Sequence, residues 1–466
     1  MKLRVLSFLN HVPATKDPTP MIERAAEWGI DYIVSQGTGK DFGPQFLGSG
    51  TQFPVSNFVE NIRPYINAAH RLQVPFIMSV GIAGARTQLH ECLEGFDRMC
   101  REDGLDFNVG VINGDIDPGY LRKKIEAGLE IPCMDEHPDL PKLLRVEDVD
   151  ATPNIVAQMG PEPIMEMIES GVDGIITGRA LDVGLFMAPA ILAGASKATA
   201  AYFGKLLECC GVALWPGDPG MAIYGEIDDD DSIVIRCPSD DGECRVRNLA
   251  AHSFYERPNP FREGNPGGYL DLEHATYEQL DPKSVRVRGA EWGDVPYTIK
   301  LEGAASMGFR AINVAGIREP RYVDCLEDVV ERIKQEARSA DRFKHLVEGE
   351  DYWLTITLYG RDAVMGDAEP NKGNEHEVGA VIDVVAPTQE LARDICYFAY
   401  ISLWIRPYPG RKTTAGNNAQ RFTVPIIPVD EHFRWSMWHL MPLDDPCEPF
   451  ERRTLTFPLE DAGALV

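Results

Sequence analysis

The stretch Gly174-Ile175-Ile176-Thr177-Gly178-Arg179-Ala180-Leu181-Asp182 joins a short apolar run to a polar turn that contains glycine. A helical pattern precedes it, from Glu162 to Ser170. Similar apolar runs followed by polar turns alternate with helical patterns through the first ~215 residues; the runs are Leu3 to Leu9, Asp31 to Val34, Pro75 to Val80 and Phe107 to Ile112. Such alternation predicts βαβ units, and therefore an α/β fold with a mostly parallel sheet and helices on both faces. We assign this domain to residues 1–215.

The remainder of the chain predicts two further regions. A hairpin around the acidic turn at 228–231 indicates a smaller α+β region over residues 216–345. From residue 346 to 466, a strand, strand, helix, strand order indicates a C-terminal ferredoxin-like α+β domain. Its elements are expected at Tyr352 to Leu358, Glu377 to Val385, Thr388 to Ile405 and Gln420 to Ile427.

Composition narrows the class of partner. The 466 residues include 45 Lys and Arg and 72 Asp and Glu, a net charge of −27. An acidic surface repels nucleic acid and anionic lipid, so neither is expected as a partner, and a small anionic substrate is. No apolar run reaches the ~20 residues of a membrane span, and no signal peptide is recognisable. We therefore expect a cytoplasmic protein, and the added α+β domain favours a homo-oligomer.

Ligands of open parallel sheets bind beyond the carboxyl ends of the strands. The turn that follows each predicted strand is therefore a candidate part of the site. Every one contains glycine or a compact polar residue; the turns begin at Asn10, Gln36, Gly81, Asn113 and Thr177. We predict that these turns share one site and that Asn113 and Thr177 contact the substrate there.

Charged residues in these turns suggest anion chemistry. Arg86 and Arg179 each follow a strand, and an arginine fork matches a carboxylate; the alternative is salt bridges to Asp115 and Asp182. Asp41, Asp115 and Asp182 are candidates for a general base or for Mg²⁺ ligation. Asp182 alternatively caps the next helix. Mg²⁺ is thus a candidate cofactor, with no metal ligand set assigned.

Backbone groups are also candidates for anion binding. The loop with Gly37, Thr38 and Gly39 matches neither the Walker nor the dinucleotide pattern, but its N–H groups can cradle a carboxylate or phosphate. The alternative is a loop that uses glycine only for its turns. Near the end of the chain, Arg411, Thr414 and Asn417 lie in a basic segment that we expect to close over the site from the second domain or from a neighbouring subunit. The alternative is a basic loop that docks on the acidic first domain.

Several blocks resemble the acyclic terpene utilisation family, the AtuA-type proteins of bacterial terpenoid and organic-acid catabolism. Residues 176–186 are similar to the family pattern T-G-R-x-x-D-x-x-L-F. Residues 409–417 are similar to a P-G-R-x-x-T-A-G-N stretch of the associated ferredoxin-fold domain. The family's glycine-rich opening is here Asn10-His11-Val12-Pro13, and its Gly-Gly turn near residue 240 is replaced by Ser239-Asp240-Asp241-Gly242. The resemblance implies that the protein acts in catabolism and that it shares the fold of this family.

The candidate residues favour an enzyme, a lyase or hydratase that acts on a small carboxylate or acyl-CoA-type anion. An aspartate base would work beside an arginine clamp, as proton abstraction next to a carbonyl requires. One alternative is an amide or ester hydrolase that lacks a serine triad, since no G-x-S-x-G elbow occurs. Another is a non-catalytic ligand-binding subunit of a larger complex. No pair of histidines has the H-x-x-x-H spacing of zinc sites.

Overall fold

The computed structural model describes residues 2–13, 15–135 and 137–460. The chain divides into two compact units, each described here by itself. The main unit comprises the described parts of 1–304 and 435–466, and the second unit comprises 305–434. These limits differ from the boundaries at 215/216 and 345/346 suggested by the sequence.

The first part of the main unit alternates strands and helices. Its elements are β1 Leu3–Leu9, α1 Thr19–Trp28, β2 Tyr32–Gln36, α2 Pro44–Ser49, α3 Val55–Leu72, β3 Phe76–Ser79, α4 Arg86–Asp103, β4 Phe107–Ile112, α5 Pro118–Glu126, α6 Val146–Asp150, β5 Asn154–Gln158, α7 Glu162–Glu169, β6 Gly174–Thr177, α8 Gly184–Leu192 and α9 Lys197–Leu207.

The elements that follow are mostly strands. They are β7 Ile223–Ile227, β8 Ile233–Arg236, α10 Val246–Phe254, β9 Arg262–Asn265, β10 Gly268–Asp271, β11 Thr276–Asp281, β12 Ser284–Arg288, β13 Glu291–Asp294, β14 Thr298–Ile317, α11 Pro320–Asp324, α12 Leu326–Ser339, β15 Trp353–Tyr359, β16 Val378–Ala386, α13 Gln389–Ile405, β17 Ala419–Gln420, β18 Ile427–Pro442 and β19 Arg452–Phe457.

The large sheet of the main unit is mixed, and the prediction of a mostly parallel sheet was wrong in this respect. Its order is β11-β12-β8-β7-β1-β2-β3-β6-β4-β19. The five predicted strands form its parallel centre, from β1 to β4 in that order. Antiparallel strands cover both edges of this centre, β7 beside β1 and β19 beside β4. The hairpin assigned to a separate α+β region instead extends the sheet, because an uncovered strand edge presents unpaired N–H and C=O groups.

The parallel centre is buried on both faces. Every residue of β3 and of β6 is buried, and buried residues of β1 include the neighbours Val5 and Leu6. Since successive side chains of a strand point to opposite faces, both faces are covered. The apolar core of the main unit is continuous from β1 through α9 to β12.

The second unit has its own core and sheet. The sheet order is β15-β16-β14-β17, and β18 also pairs with β14. Helices α12 and α13 pack with these strands into one apolar cluster. The strand predicted at 420–427 was wrong, because the structure has the two-residue β17 there and starts the long β18 at Ile427. The end of β14, from residue 305, also belongs to this unit, whereas the sequence suggested a start at 346.

The described part of the chain contains no helix that is both long and apolar enough to pass through a bilayer.

Candidate functional site

Turns from four strands of the parallel centre meet at one edge of the sheet. Thr38, after β2, forms a parallel bridge with Ile82, after β3. The Arg179 amide, after β6, donates to the carbonyl oxygen of Gly84 at 3.1 Å. A Cβ atom on Gly114, after β4, would lie 2.2 Å from the Arg179 nitrogen, so the backbones approach too closely for any side chain there. The turns after β2, β3, β4 and β6 therefore form one packed layer.

Strand β5, which the sequence did not predict, attaches β14 to this layer. It pairs antiparallel with β14, with Gln158 opposite Lys300 and Val156 opposite Glu302. The amide that follows Val156 donates to the carbonyl oxygen of Gly114 at 2.9 Å. Because Lys300 and Glu302 are two residues apart on a strand, they share a face. This pairing brings both side chains to the strand ends where Arg179 lies.

A buried ion pair between Arg179 and Glu302 forms the centre of the site. Each side chain is only 3% exposed, and Nε of Arg179 lies 2.8 Å from Oε2 of Glu302. The Nη1 atom donates to the carbonyl and hydroxyl oxygens of Thr38, both at 3.3 Å, and lies 3.4 Å from Oδ1 of Asp182. Burial alone would raise the pKa of Glu302, but Arg179 and Lys300 hold that pKa at about 2. All three guanidinium nitrogens of Arg179 have acceptors within the protein.

Lys300 is a functional candidate that the sequence did not reveal. Its Nζ lies 3.4 Å from Oε1 of Glu302 and 3.4 Å from the centre of the Trp438 ring. Burial lowers the pKa of Lys300 to about 8, against the opposing effect of Glu302. The Nζ of Lys40 lies 5.0 Å from the same ring centre. A cation over the face of an aromatic ring is held by electrostatic attraction, so Trp438 gathers two ammonium groups beside the buried ion pair.

Asp182 presents a carboxyl group at the border of this cluster. Its side chain is 27% exposed. Burial raises its pKa, Arg179 opposes the rise, and the charges of Glu302 and Asp41 add to it. Asp41 itself is exposed. Asp182 does not cap the next helix, because the N-cap residue of α8 is Val183 and no side chain makes a capping hydrogen bond there.

Asp115 and Arg86 form a second group in the same layer. Oδ1 of Asp115 accepts from the Arg86 amide at 2.9 Å, which places the carboxylate at the N-terminus of α4. The Arg86 guanidinium lies 3.8 Å from Asp115 and 3.0 Å from Glu451. The Asn113 amide also donates to Glu451, at 2.9 Å. Burial raises the pKa of Asp115 to about 6, although both contacts with Arg86 oppose this rise.

Other predicted ligand-binding groups have partners within the protein. The Gly37 amide donates to Oγ of Ser79 at 3.0 Å, and the Gly39 amide donates to the carbonyl oxygen of Ile82 at 2.7 Å. Thr177 is fully buried, and its hydroxyl donates to the carbonyl oxygen of Gly178. The N–H groups of Gly37 and Gly39 therefore already donate hydrogen bonds within the protein, and a role of this loop in ligand binding stays a prediction.

The basic segment lies in the second unit and is held by local hydrogen bonds. The Arg411 guanidinium donates to the carbonyl oxygens of Ile405 at 2.8 Å and Ala415 at 2.7 Å. The Asn417 amide donates to the carbonyl oxygen of Arg406 at 2.8 Å, and Thr414 is exposed. Closure of this segment over a ligand stays a prediction.

The contacts of Asp115 and Asp182 bear on whether these carboxylates could bind a metal ion. Asp115 lies beside Arg86, and Asp182 lies beside Arg179, so each carboxylate already faces a cation. Among the described residues, the side chains that come together as a possible ligand group are Glu208, Cys209 and His252. These ligands include none of the three aspartates, and Nζ of Lys205 lies 2.5 Å from Glu208. This arrangement does not fit Mg²⁺, which prefers several oxygen ligands.

A family model described as acyclic terpene utilisation family protein AtuA matches residues 50–429. The chain belongs to the acyclic terpene utilisation family. The resemblance inferred from the sequence is confirmed, and most of the site of this family member lies within the matched region, including Arg179, Asp182 and Glu302. No curated protein and no solved structure matches the chain.

Proposed function

We propose that this member of the acyclic terpene utilisation family is a catabolic lyase or hydratase that acts on a small carboxylate or acyl-CoA-type anion. One observation carries the proposal: a carboxyl group with a raised pKa, Asp182, and an ammonium group with a lowered pKa, Lys300, flank the same buried ion pair. Proton transfer is most effective when the pKa of the acid or base lies near the working pH. Perturbed pairs of this kind cluster at catalytic sites.

The positive charge for an anion comes from the lysines. The guanidinium of Arg179 is matched by Glu302, so we assign Arg179 a positioning role that fixes Glu302 and Thr38. Lys300 and Lys40 converge on the Trp438 ring, and their charges attract a carboxylate or thioester oxygen. Arg86 is half exposed and keeps the role of a second clamp in this proposal.

The proposed chemistry is proton removal next to a carbonyl group. The Asp182 carboxylate takes a proton from the carbon beside the carbonyl, and the Lys300 ammonium stabilises the negative charge that develops on the carbonyl oxygen. Departure of a hydroxyl group from the next carbon, as water after it receives a proton, leaves a carbon–carbon double bond. The reverse sequence is a hydration. Asp41 and Asp115 remain further candidates for the acid that protonates the leaving hydroxyl.

Exchange with deuterium from solvent tests this proposal without knowledge of the complete substrate. The protein is incubated in D₂O with a panel of saturated, unsaturated and 3-hydroxy acyl-CoA thioesters and the corresponding free acids, and deuterium at the carbon beside the carbonyl is measured by mass spectrometry. We expect exchange with at least one compound, and a loss of about 100-fold or more in Asp182→Asn and Lys300→Met. Asp106→Asn is the matched control, because Asp106 precedes β4 at the opposite end of the sheet and is 88% exposed. No exchange with any compound, or full exchange in Asp182→Asn, contradicts the proposal.

A non-catalytic ligand-binding subunit is the second candidate. It is favoured by the ion pairs that already occupy Arg179, Arg86 and Asp115 within the protein. The same panel separates the two candidates, because this candidate requires binding without deuterium exchange. The hydrolase alternative has no corresponding feature among the described residues.

We further propose a ferredoxin-like class for the second unit and a homo-oligomer for the protein. The first is supported by the order β14, α12, β15, β16, α13, β18, with β14 beside β16 in the sheet. Sedimentation velocity at several concentrations tests the second, and a monomer at all of them would contradict it.

A further inference from the structure

Three side chains that can ligate a metal ion meet where the end of α9 lies against α10. Glu208 and Cys209 directly follow α9, and His252 lies in the last turn of α10. A carboxylate oxygen of Glu208, Sγ of Cys209 and a ring nitrogen of His252 all lie within 4.8 Å of one another. A tetrahedral zinc ion with bond lengths of about 2.0–2.3 Å keeps its ligand atoms roughly 3.3–3.8 Å apart. Small rotations of these side chains therefore suffice to bring them around one ion.

A hydrogen bond to the backbone orients His252 for ligation. Burial lowers the pKa of His252 to about 3, so the ring is neutral. Its Nε2 lies 3.0 Å from the carbonyl oxygen of Lys205. Because a carbonyl group only accepts, Nε2 carries the hydrogen and the lone pair of the ring is on Nδ1. Histidine ligands of metal ions donate their other ring N–H to a carbonyl or carboxylate group in this way, which fixes the tautomer and the ring orientation.

The ion pair of Glu208 with Lys205 is compatible with a metal ion. Oε1 of Glu208 lies 2.5 Å from Nζ of Lys205. An ionised carboxylate accepts through two oxygens, so Oε2 can bind an ion while Oε1 keeps its contact with Lys205. The ammonium group also lies 4.8 Å from the centre of the Tyr255 ring, which attracts it away from the position of the ion.

The charges around the cluster favour an added cation. When a zinc ion replaces the thiol proton of Cys209, the cluster gains one net positive charge. Glu263, whose negative charge acts on Glu208, is paired with Arg257 at 2.7 Å. The negative charge of Asp182 acts on both Glu208 and Cys209. The site can therefore accept the extra charge of the ion.

Solvent reaches the cluster on the side of the thiol. Cys209 is partly exposed, whereas Glu208 is 7% exposed and His252 is 6% exposed. The thiolate sulfur, imidazole nitrogen and carboxylate oxygen together are donors that suit zinc. Magnesium and calcium ions prefer oxygen ligands alone. The donor set thus selects a different cation from the one that the aspartates suggested.

We propose that Glu208, Cys209 and His252 bind a zinc ion. The Cys209 thiol loses its proton to the solvent on binding, because a coordinating thiol is deprotonated. The Tyr255 hydroxyl lies 3.4 Å from Sγ of Cys209 and donates a hydrogen bond to the thiolate. Three protein ligands leave the fourth tetrahedral position for a water molecule. The inference goes beyond the proposed function and does not depend on it.

Metal titration of the full-length protein tests the inference. The protein is stripped with EDTA and titrated with Co²⁺, which reports its ligands by absorption, and then with Zn²⁺. We expect a sulfur-to-cobalt charge-transfer band that Zn²⁺ removes, with one zinc ion bound per chain. X-ray absorption of the zinc-loaded protein should show one sulfur at about 2.3 Å and lighter ligands at about 2.0–2.1 Å.

Variants assign the ion to these residues. Cys209→Ser should abolish the charge-transfer band, and His252→Gln should keep it. Each should weaken zinc binding at least about 100-fold, because even a change outside the ligand shell typically costs 10–100-fold. Cys325→Ser is the matched control and should bind zinc as the wild type does, because Cys325 is a partly exposed cysteine of the second unit.

Alkylation of the wild type gives a test that does not depend on the folding of a variant. Iodoacetamide labelling, read by peptide mass spectrometry, should be slowed by Zn²⁺ at Cys209 and unchanged at Cys325. Equal zinc affinity of the wild type and Cys209→Ser would show an adventitious ion only and overturn the inference. Absence of a zinc–sulfur distance, or labelling of Cys209 that Zn²⁺ does not slow, would also overturn it. Zinc binding is measured without substrate, so it fails or succeeds separately from the deuterium-exchange experiment.

Discussion

Replacement of Arg179 by methionine would leave a carboxylate buried in the centre of the main unit. Glu302 is 3% exposed, and its remaining partners would be Lys300 at 3.4 Å and the Gln158 amide at 2.8 Å. Removal of one member of a buried ion pair costs about 3–5 kcal/mol, because the other charge stays out of water without compensation. Since Lys300 and Gln158 remain, we expect Arg179→Met to lower the free energy of unfolding by about 3 kcal/mol.

A double variant separates charge from packing. In Arg179→Met/Glu302→Leu no unpaired carboxylate remains, so at least half of the lost stability should return. The control is Lys16→Met, since Lys16 and Asp241 form an ion pair in which both side chains are 71% exposed, and no measurable change is expected.

Urea unfolding followed by tryptophan fluorescence measures these differences, with Trp438 close to Lys300 as a local reporter. A loss below about 1 kcal/mol in Arg179→Met would refute the reasoning. So would a double variant as unstable as the sum of the two single variants, because the charges would then not act on each other.

Three further predictions follow from the same layer of turns. Burial raises the pKa of Asp115 from 3.8 to about 6, so between these pH values the folded state binds a proton that the unfolded state has lost, and the stability falls as the pH rises through 6. Asp115→Asn should flatten this dependence of the free energy of unfolding on pH, measured by urea titrations at pH 4–8. An unchanged slope would count against the raised pKa. In protein labelled with ¹³C-lysine, one signal that disappears in Lys300→Met should titrate near pH 8, and a midpoint of 10 or above would contradict the burial argument. Gly84→Ala should lower the free energy of unfolding by about 1–3 kcal/mol in thermal or urea unfolding, since the φ angle of Gly84 is 71° and the new Cβ would lie 2.3 Å from the Arg179 nitrogen. Gly104→Ala is the control, because Gly104 has a φ angle of 67° but open space around it, and this variant should lose less stability.

The parallel centre of the sheet was predictable from sequence because its signal is local. Apolar runs such as Phe107–Ile112 are bounded by polar turns, and each contains the information for its own strand. Strand β18 has no such signal, since its first half includes Asp430, Glu431 and Arg434. Strand β14 was recognised only over Thr298 to Leu301, because the residues after Leu301 lack a strict alternation.

The candidate site was likewise predictable only where its residues carry a local sequence signal. The turn at 177–182 marks Arg179 and Asp182 as candidates through its position after a strand. Glu302, the ion-pair partner of Arg179, lies on β14, and Trp438 lies on β18. Only the folded sheet brings these residues close to the turn. The sequence also does not show that the Ser79 hydroxyl and the Ile82 carbonyl group accept hydrogen bonds from the Gly37 and Gly39 amides. Local pattern therefore identified both members of the Arg86–Asp115 and Arg179–Asp182 contacts, but it could not supply the partners that lie on β14 and β18.

The pairing of β19 with β4 has a consequence for biosynthesis. Residues 452–457 leave the ribosome about 340 residues after β4 has been made, which at 5–20 residues per second is a delay of roughly 20–70 s. Throughout that interval the outer border of the parallel centre lacks its final neighbour and can recruit a strand from another nascent chain. Expression yield should accordingly depend on chaperone supply during translation more strongly than on the equilibrium stability of the finished protein.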